Sequence, residues 1–257
     1  MCELMGVSAS VEFDATDLLR EFYSHSTDHP NGWGMATLQN GQLNIEKEPI
    51  RALDSFYLRQ RLEGGVRSRM ILAHIRYATM GGEAYLNSHP FSVRDNYGRI
   101  WTLIHNGTIF DYPNLRPFQY TQAGRTDSER ILLYLIQRLN ARQSALGKPL
   151  DETARAELLQ EIFGDMSRGN KLNLILYDGD LMYVHTNYAN SLYVWHSPRA
   201  AVFATVPLTE DSWEPVPFTA LCVYRNERCC FQGRPHGQEY IDRPEDTKYL
   251  HTEFAAL

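Results

Sequence analysis

Cys2-Glu3-Leu4-Met5-Gly6-Val7-Ser8-Ala9-Ser10 opens the chain, and Glu3 to Ser10 reads as a β-strand with a thiol at its leading end. Chain termini are ordinarily loose, so a strand starting at the third residue predicts a terminus held inside a sheet. Cysteine is small, and an initiator methionine before a small residue is ordinarily trimmed. Loss of Met1 would leave Cys2 with a thiol and an α-amino group on one residue. The amine titrates near ~8 and the thiol near ~8.5, so such a terminus holds a nucleophile and its own base. Met-Cys alone is a weak signal. Retention of Met1 would bury the amine in a peptide bond and point instead to a non-catalytic binding or regulatory protein.

Outward from this strand, a helix is predicted over Asp17 to Tyr23. Gly32-Trp33-Gly34-Met35-Ala36-Thr37-Leu38 and Leu43-Asn44-Ile45 flank Asn40-Gly41, a pair that tolerates positive φ and signals a hairpin. A short helix covers Ser55 to Leu62. Met70 to Tyr77 reads as a buried strand followed by a long polar loop, and Ile100 to Ile104 as a strand ending at His105-Asn106-Gly107. Two helices occupy the middle. One starts at the capping box Thr126-Asp127-Ser128-Glu129 and carries Ile131, Leu132, Leu135, Ile136 and Leu139 on one face; the other spans Glu152 to Phe163. Strands return at Leu172 to Tyr177, Leu181 to His185, Leu192 to Trp195, Ala201 to Thr205, Ala220 to Tyr224 and Cys229 to Gln232. The polar tail after Pro235 is expected to loop over the surface. Many strands at hairpin spacing with two central helices imply an α+β fold with largely antiparallel sheets. With no repeat or low-complexity linker, one domain over 1–257 is expected.

Composition narrows the class. The chain is 43% hydrophobic and 22% charged, which supports a substantial core. A net charge of −6 argues against a nucleic-acid partner. No apolar run approaches the ~18 residues of a membrane span, and no basic-then-apolar leader is present. Cys2, Cys222, Cys229 and Cys230 show no zinc spacing, and a cytoplasmic location with reduced thiols is the simplest reading. His74, His89 and His105 lack HxxxH or HExxH spacing, so no metal is expected. Gly32-Trp33-Gly34 lacks the GxGxxG and GK[ST] patterns, so no nucleotide or flavin cofactor is expected.

Three stretches carry the chemistry: His74-Ile75-Arg76-Tyr77-Ala78-Thr79-Met80-Gly81 leading to His89-Pro90-Phe91, then His105-Asn106-Gly107, then Thr126-Asp127-Ser128-Glu129. Strand alternation puts His74 and Arg76 on one face. An arginine at a buried strand end is usually a satisfied ion pair, but it can also hold a substrate carboxylate bidentately. Asn106-Gly107 reads by itself as a tight turn, yet an Asn amide and a Gly N–H can also supply two donors to an oxyanion. Asp127 at the first helical position is favoured by the helix dipole whether or not it binds anything. His105 reads as a structural hydrogen-bonding residue.

Together with Cys2 and the Gly32–Gly34 hairpin, these motifs resemble the glutaminase domain of class II glutamine amidotransferases, which are N-terminal nucleophile hydrolases. The likeness runs from Cys2 to about residue 205. It implies a four-layer αββα sandwich of two antiparallel sheets. It implies Cys2 as nucleophile, Asn106 and Gly107 as oxyanion hole, Arg76 for the α-carboxylate and Asp127 for the α-ammonium of glutamine, with Thr79, His89 and the 79–91 loop shaping the pocket. Relatives with a synthase domain feed it ammonia. About 50 of the 257 residues follow Thr205, so the chain resembles the stand-alone members, acting on glutamine or a γ-glutamyl small molecule, either with a separate synthase subunit or alone as a γ-glutamyl hydrolase.

Overall fold

The computed structural model describes residues 2–78 and 81–243. Thr79 and Met1 lie outside them. In chain order the elements are β1 (Glu3–Asp14), α1 (Thr16–Ser24), β2 (Trp33–Gln39), β3 (Gln42–Glu48), α2 (Phe56–Glu63), β4 (Arg67–Ile75), β5 (Phe91–Arg94), β6 (Ile100–Thr108), α3 (Asp127–Leu146), α4 (Glu152–Met166), β7 (Lys171–Tyr177), β8 (Met182–His185), β9 (Tyr193–His196), β10 (Ala200–Ala204), β11 (Glu214–Pro215), β12 (Leu221–Arg225) and β13 (Arg228–Gln232).

The strands form two antiparallel sheets, ordered β11-β9-β10-β1-β4-β2-β3 and β13-β12-β8-β7-β6-β5. Alternation along each strand sorts side chains into three apolar layers. Leu4, Leu72, Ile104, Ile175, Met182 and Phe203 pack between the sheets. Met5, Val7, Ile71 and Ala73 face outward under α1 and α2, meeting Leu19, Phe22 and Leu58. Leu103, Leu172 and Leu174 face the other way under α3 and α4, meeting Ile131, Leu135, Leu159 and Phe163. The expected αββα sandwich is therefore present, with β1 inside its sheet between β4 and β10.

Four local features differ from the sequence reading. Asn106-Gly107 is no turn: both lie within β6, paired with Asn173 and Leu172 of β7. The glycine is required by close approach, because a Cβ at Gly107 would collide with the Lys171 carbonyl and the His105 ring. Arg76 and Tyr77 lie beyond the end of β4. The short strand β5 was not anticipated, since four residues carry too little alternation to register. The tail after Pro235 is not merely superficial: Tyr240 is buried, its N–H donates to the Asn187 carbonyl at 2.8 Å, and its ring stacks on Phe110 at 5.8 Å.

Candidate active site

One end of the sandwich gathers the chemistry-bearing residues. Cys2 precedes β1 and has the same parity as Leu4, so its thiol faces the space between the sheets. The thiol is half-buried and meets the Tyr77 backbone twice, donating to its carbonyl and accepting from its N–H, each at 3.3 Å. Thr205 of the segment after β10 grips the next residue but one: its hydroxyl accepts from Leu4 N at 2.7 Å and donates to Leu4 O at 3.0 Å. Burial pushes the Cys2 thiol up, Tyr77 and the Arg76 guanidinium pull it down, and the Asp127 charge pushes it up again. A thiol held mainly protonated in this way needs a base to act as a nucleophile.

Arg76 is 3% exposed. Its guanidinium donates to the carbonyls of Gly81 at 2.8 Å and Gly82 at 3.2 Å, so it ties the following loop to the end of β4. Asn31 braces the same loop, accepting from Ala78 N at 2.9 Å and donating to Glu83 at 2.6 Å. Asp127, 6% exposed, sits at the first position of α3 behind the Thr126 N-cap. Its carboxylate accepts from Ile109 N and Ser128 N, both at 2.9 Å. The capping box is half formed: Thr126 accepts from Glu129 N at 3.2 Å, while the Glu129 carboxylate turns to Ala123 N and Gly124 N, each at 2.7 Å. The charges of Cys2 and Asp127 both act on Arg76, so these three residues share one electrostatic environment.

Across the gap, Asn106 is 3% exposed. It faces Cys2's layer, since Ile104 two residues earlier packs between the sheets. Its cross-strand neighbour Asn173 spends its amide on Ser191 at 2.8 Å and accepts from Thr186 at 2.7 Å. Among the described residues no hydrogen bond engages the Asn106 amide. Gly107 adds a directed N–H. Its partner Leu172 turns both backbone groups toward β8, to Asn187 and His185, so antiparallel alternation aims the Gly107 N–H away from β7. Ile109, two residues on, points the same way and reaches Asp127.

His89 is not positioned by polar contacts. Both its ring nitrogens lack a hydrogen-bond partner among the described residues, and its ring lies 3.9 Å from that of His74 and 4.6 Å from Phe91. Lys47 of β3 fixes its loop from outside, donating to Ser88 O at 2.7 Å and Pro90 O at 3.2 Å. His74 Nε2 donates to the His105 carbonyl at 3.1 Å, a bond between the two sheets. His105 in turn meets Ser128 at 3.0 Å.

The family described as class II glutamine amidotransferases matches residues 1–198. The chain belongs to the class II glutamine amidotransferases. Within this class II frame, the uncharacterized protein MJ1515 of Methanocaldococcus jannaschii is 27% identical over 91% of this chain and 72% of its own length. YafJ of Escherichia coli K12, provisionally named a glutamine amidotransferase, is 29% identical over 82% of each. Among solved structures, a predicted glutamine amidotransferase from Pseudomonas aeruginosa PA01 superposes with a TM-score of 0.62 at 20% identity, covering 90% of this chain and all of that one. The phosphoribosylpyrophosphate amidotransferase of Bacillus subtilis gives 0.64 at 18% identity, covering 87% of this chain and 47% of that one. These two likenesses establish the fold. No described helix of this class II amidotransferase is long and apolar enough to cross a membrane.

Sequence reasoning missed Thr205 and Asn31, which brace the Cys2 end of the sandwich through partners distant in the chain; a lone Thr or Asn carries no local signal of such a role. It also missed a pH dependence. Burial drives His74 and His185 down to about 3, against ~6.5 in an unfolded chain. A histidine depressed on folding adds stability that is complete above pH 6.5 and lost as the pH falls from there toward 3. At pH 5.5 each such histidine costs about 1.4 kcal/mol, so the pair costs about 3 kcal/mol. Burial lowers His89, His105 and His236 as well, so urea unfolding at pH 7.5 and 5.5 is expected to show a drop of at least that size, of which His74→Gln should remove about 1.4 kcal/mol. A midpoint unmoved by pH would contradict buried neutral rings.

Proposed function

We propose that this chain hydrolyses the side-chain amide of glutamine or of a γ-glutamyl compound through a thioester on Cys2. The observation that carries the reading is the pairing of a thiol on one sheet with an uncommitted, buried amide, Asn106, facing it from the other. After removal of Met1 the Cys2 α-amine accepts the thiol proton. The thiolate attacks the γ-carbonyl carbon, and the carbonyl oxygen gains charge against the Asn106 amide and the Gly107 N–H. The C–N bond then breaks, the amine departs with the proton returned by the α-amine, and a γ-glutamyl thioester remains. Water adds to the thioester, releases glutamate and regenerates the thiol. Arg76 binds the α-carboxylate and Asp127 the α-ammonium of the glutamyl group, with the 81–91 loop and His89 forming the wall beside them.

A diazo-ketone analogue of glutamine tests this directly. Intact mass of natively produced protein is expected to show loss of methionine and one adduct, mapped to Cys2. Retained Met1 with no adduct would overturn the hydrolase reading in favour of a binding or regulatory protein. Asp127→Asn tests the ammonium site: it removes one of two backbone acceptors, worth about 1 kcal/mol of stability, and is expected to raise KM for glutamine more than tenfold. An unchanged KM would remove Asp127 from the pocket. A second reading, supply of ammonia to a separate synthase subunit, draws support from the Bacillus subtilis amidotransferase, of which this chain covers 47%. Co-purification with a synthase would favour it.

A further inference from the structure

The proposed mechanism leaves one buried cation at this end of the sandwich unused. Lys171, 3% exposed, opens β7 opposite Thr108, two rows outside the Asn106–Asn173 pair. Ile175 on the same strand packs between the sheets, so alternation turns Lys171 toward that same gap. Two residues of strand separate it from the Asn106 row, or ~7 Å. Its ammonium lies 3.5 Å from the centre of the Tyr188 ring. Tyr188 meets Tyr240 at 5.9 Å, and Tyr240 stacks on Phe110 at 5.8 Å. The Tyr188 hydroxyl donates to Asp242. Burial lowers Lys171 to about 8, while the charges of Asp242 and Cys2 pull it back up, so it stays largely cationic at neutral pH and within electrostatic reach of the thiol.

Resting on the hydrolase reading above, we propose that Lys171 reads a carboxylate on the leaving amine, so that the substrate class is a γ-glutamyl amino acid or peptide. The two charges of the glutamyl head are matched by Arg76 and Asp127, beside the loop after β4 and the start of α3. Lys171 stands on β7, across β6 from Asp127, which meets Ile109 N on the side away from β7, and that is where we place the departing group. Ammonia released from glutamine offers nothing to a cation there. An amino acid released from a γ-glutamyl bond presents its carboxylate, with Tyr188, Tyr240 and Phe110 forming an aromatic wall for its side chain. Asp242 is bound to the Tyr188 hydroxyl, so it orients that ring and adds to the field that keeps the ammonium charged.

The test compares γ-glutamylglycine with γ-glutamylglycinamide, which differ only in that carboxylate. Binding is measured by calorimetry on the full chain carrying Cys2→Ala, independently of turnover. The carboxylate form is expected to bind at least tenfold more tightly, the preference falling below threefold when Lys171→Met is added and persisting with Lys171→Arg. Equal affinities, or a preference untouched by Lys171→Met, overturn the proposal, and the first needs no folded Lys171 variant. Turnover by the unsubstituted chain separates the two readings. Cleavage of glutamine without charge-dependent binding sinks the Lys171 subsite alone. Charge-dependent binding without cleavage of any substrate sinks the hydrolase and keeps the subsite. Absence of both charge-dependent binding and turnover overturns both.

Discussion

Cys2→Ala is expected to fold like its parent and to lose turnover entirely. The side chain is half-buried and makes two sulfur contacts, both to the Tyr77 backbone. β1 is held by its ladders to β4 and β10 and by Thr205, none of which involves the thiol. Its removal should therefore change unfolding by no more than about 1 kcal/mol. Loss of the atom that forms the covalent intermediate is another matter: removing a nucleophile of this kind costs on the order of 10⁶ in kcat in subtilisin. Thermal unfolding and glutamate release, measured on the same preparation, check both halves. Residual activity above a tenth of the parent would end the assignment of Cys2 as nucleophile.

Asn106→Ala is expected to lower kcat by 10²–10³, about 3 kcal/mol in the barrier, with KM little changed. The Asn106 amide has no hydrogen bond to forfeit among the described residues, so truncation leaves no group orphaned and stability should hold. Asn173→Ala makes the contrast. Its amide donates to Ser191 and accepts from Thr186, so truncation removes two buried hydrogen bonds and should lower the unfolding midpoint. The two asparagines are cross-strand neighbours and chemically identical. A kcat reduced less than threefold by Asn106→Ala would dismiss the oxyanion role.

The layers were legible where alternation was long. Glu3–Ser10, Met70–Ile75 and Leu172–Tyr177 all carry an apolar face every second residue, and the capped helix at Thr126 announced itself through its own first turn. The likeness of Cys2, the 74–91 stretch, Asn106-Gly107 and Thr126–Glu129 to one family brought the rest of the architecture with it. Local pattern misled at Asn106-Gly107, because the same dipeptide serves a turn and a tightly apposed strand; the difference lies in the Lys171 backbone, more than 60 residues away. Lys171 itself gave no signal, since its meaning depends on the row it occupies beside Asn173. Thr205 was invisible for the same reason, its partner Leu4 lying 201 residues away in the chain. What a sequence hides here is register.

That clamp between Thr205 and Leu4 has a consequence for how the protein is made. β1 leaves the ribosome well before β10, one of its two flanking strands. Until some 200 residues have been synthesised, the leading edge of β1 stands half unpaired and open to solvent. Once β10 zips on, that edge is internal. On the proposal that Cys2 acts with its own amine, trimming of Met1 is best placed during translation, and an N-terminal affinity tag would block the amine. The end of the sheet that carries Cys2 is thus complete only after β10 has been made.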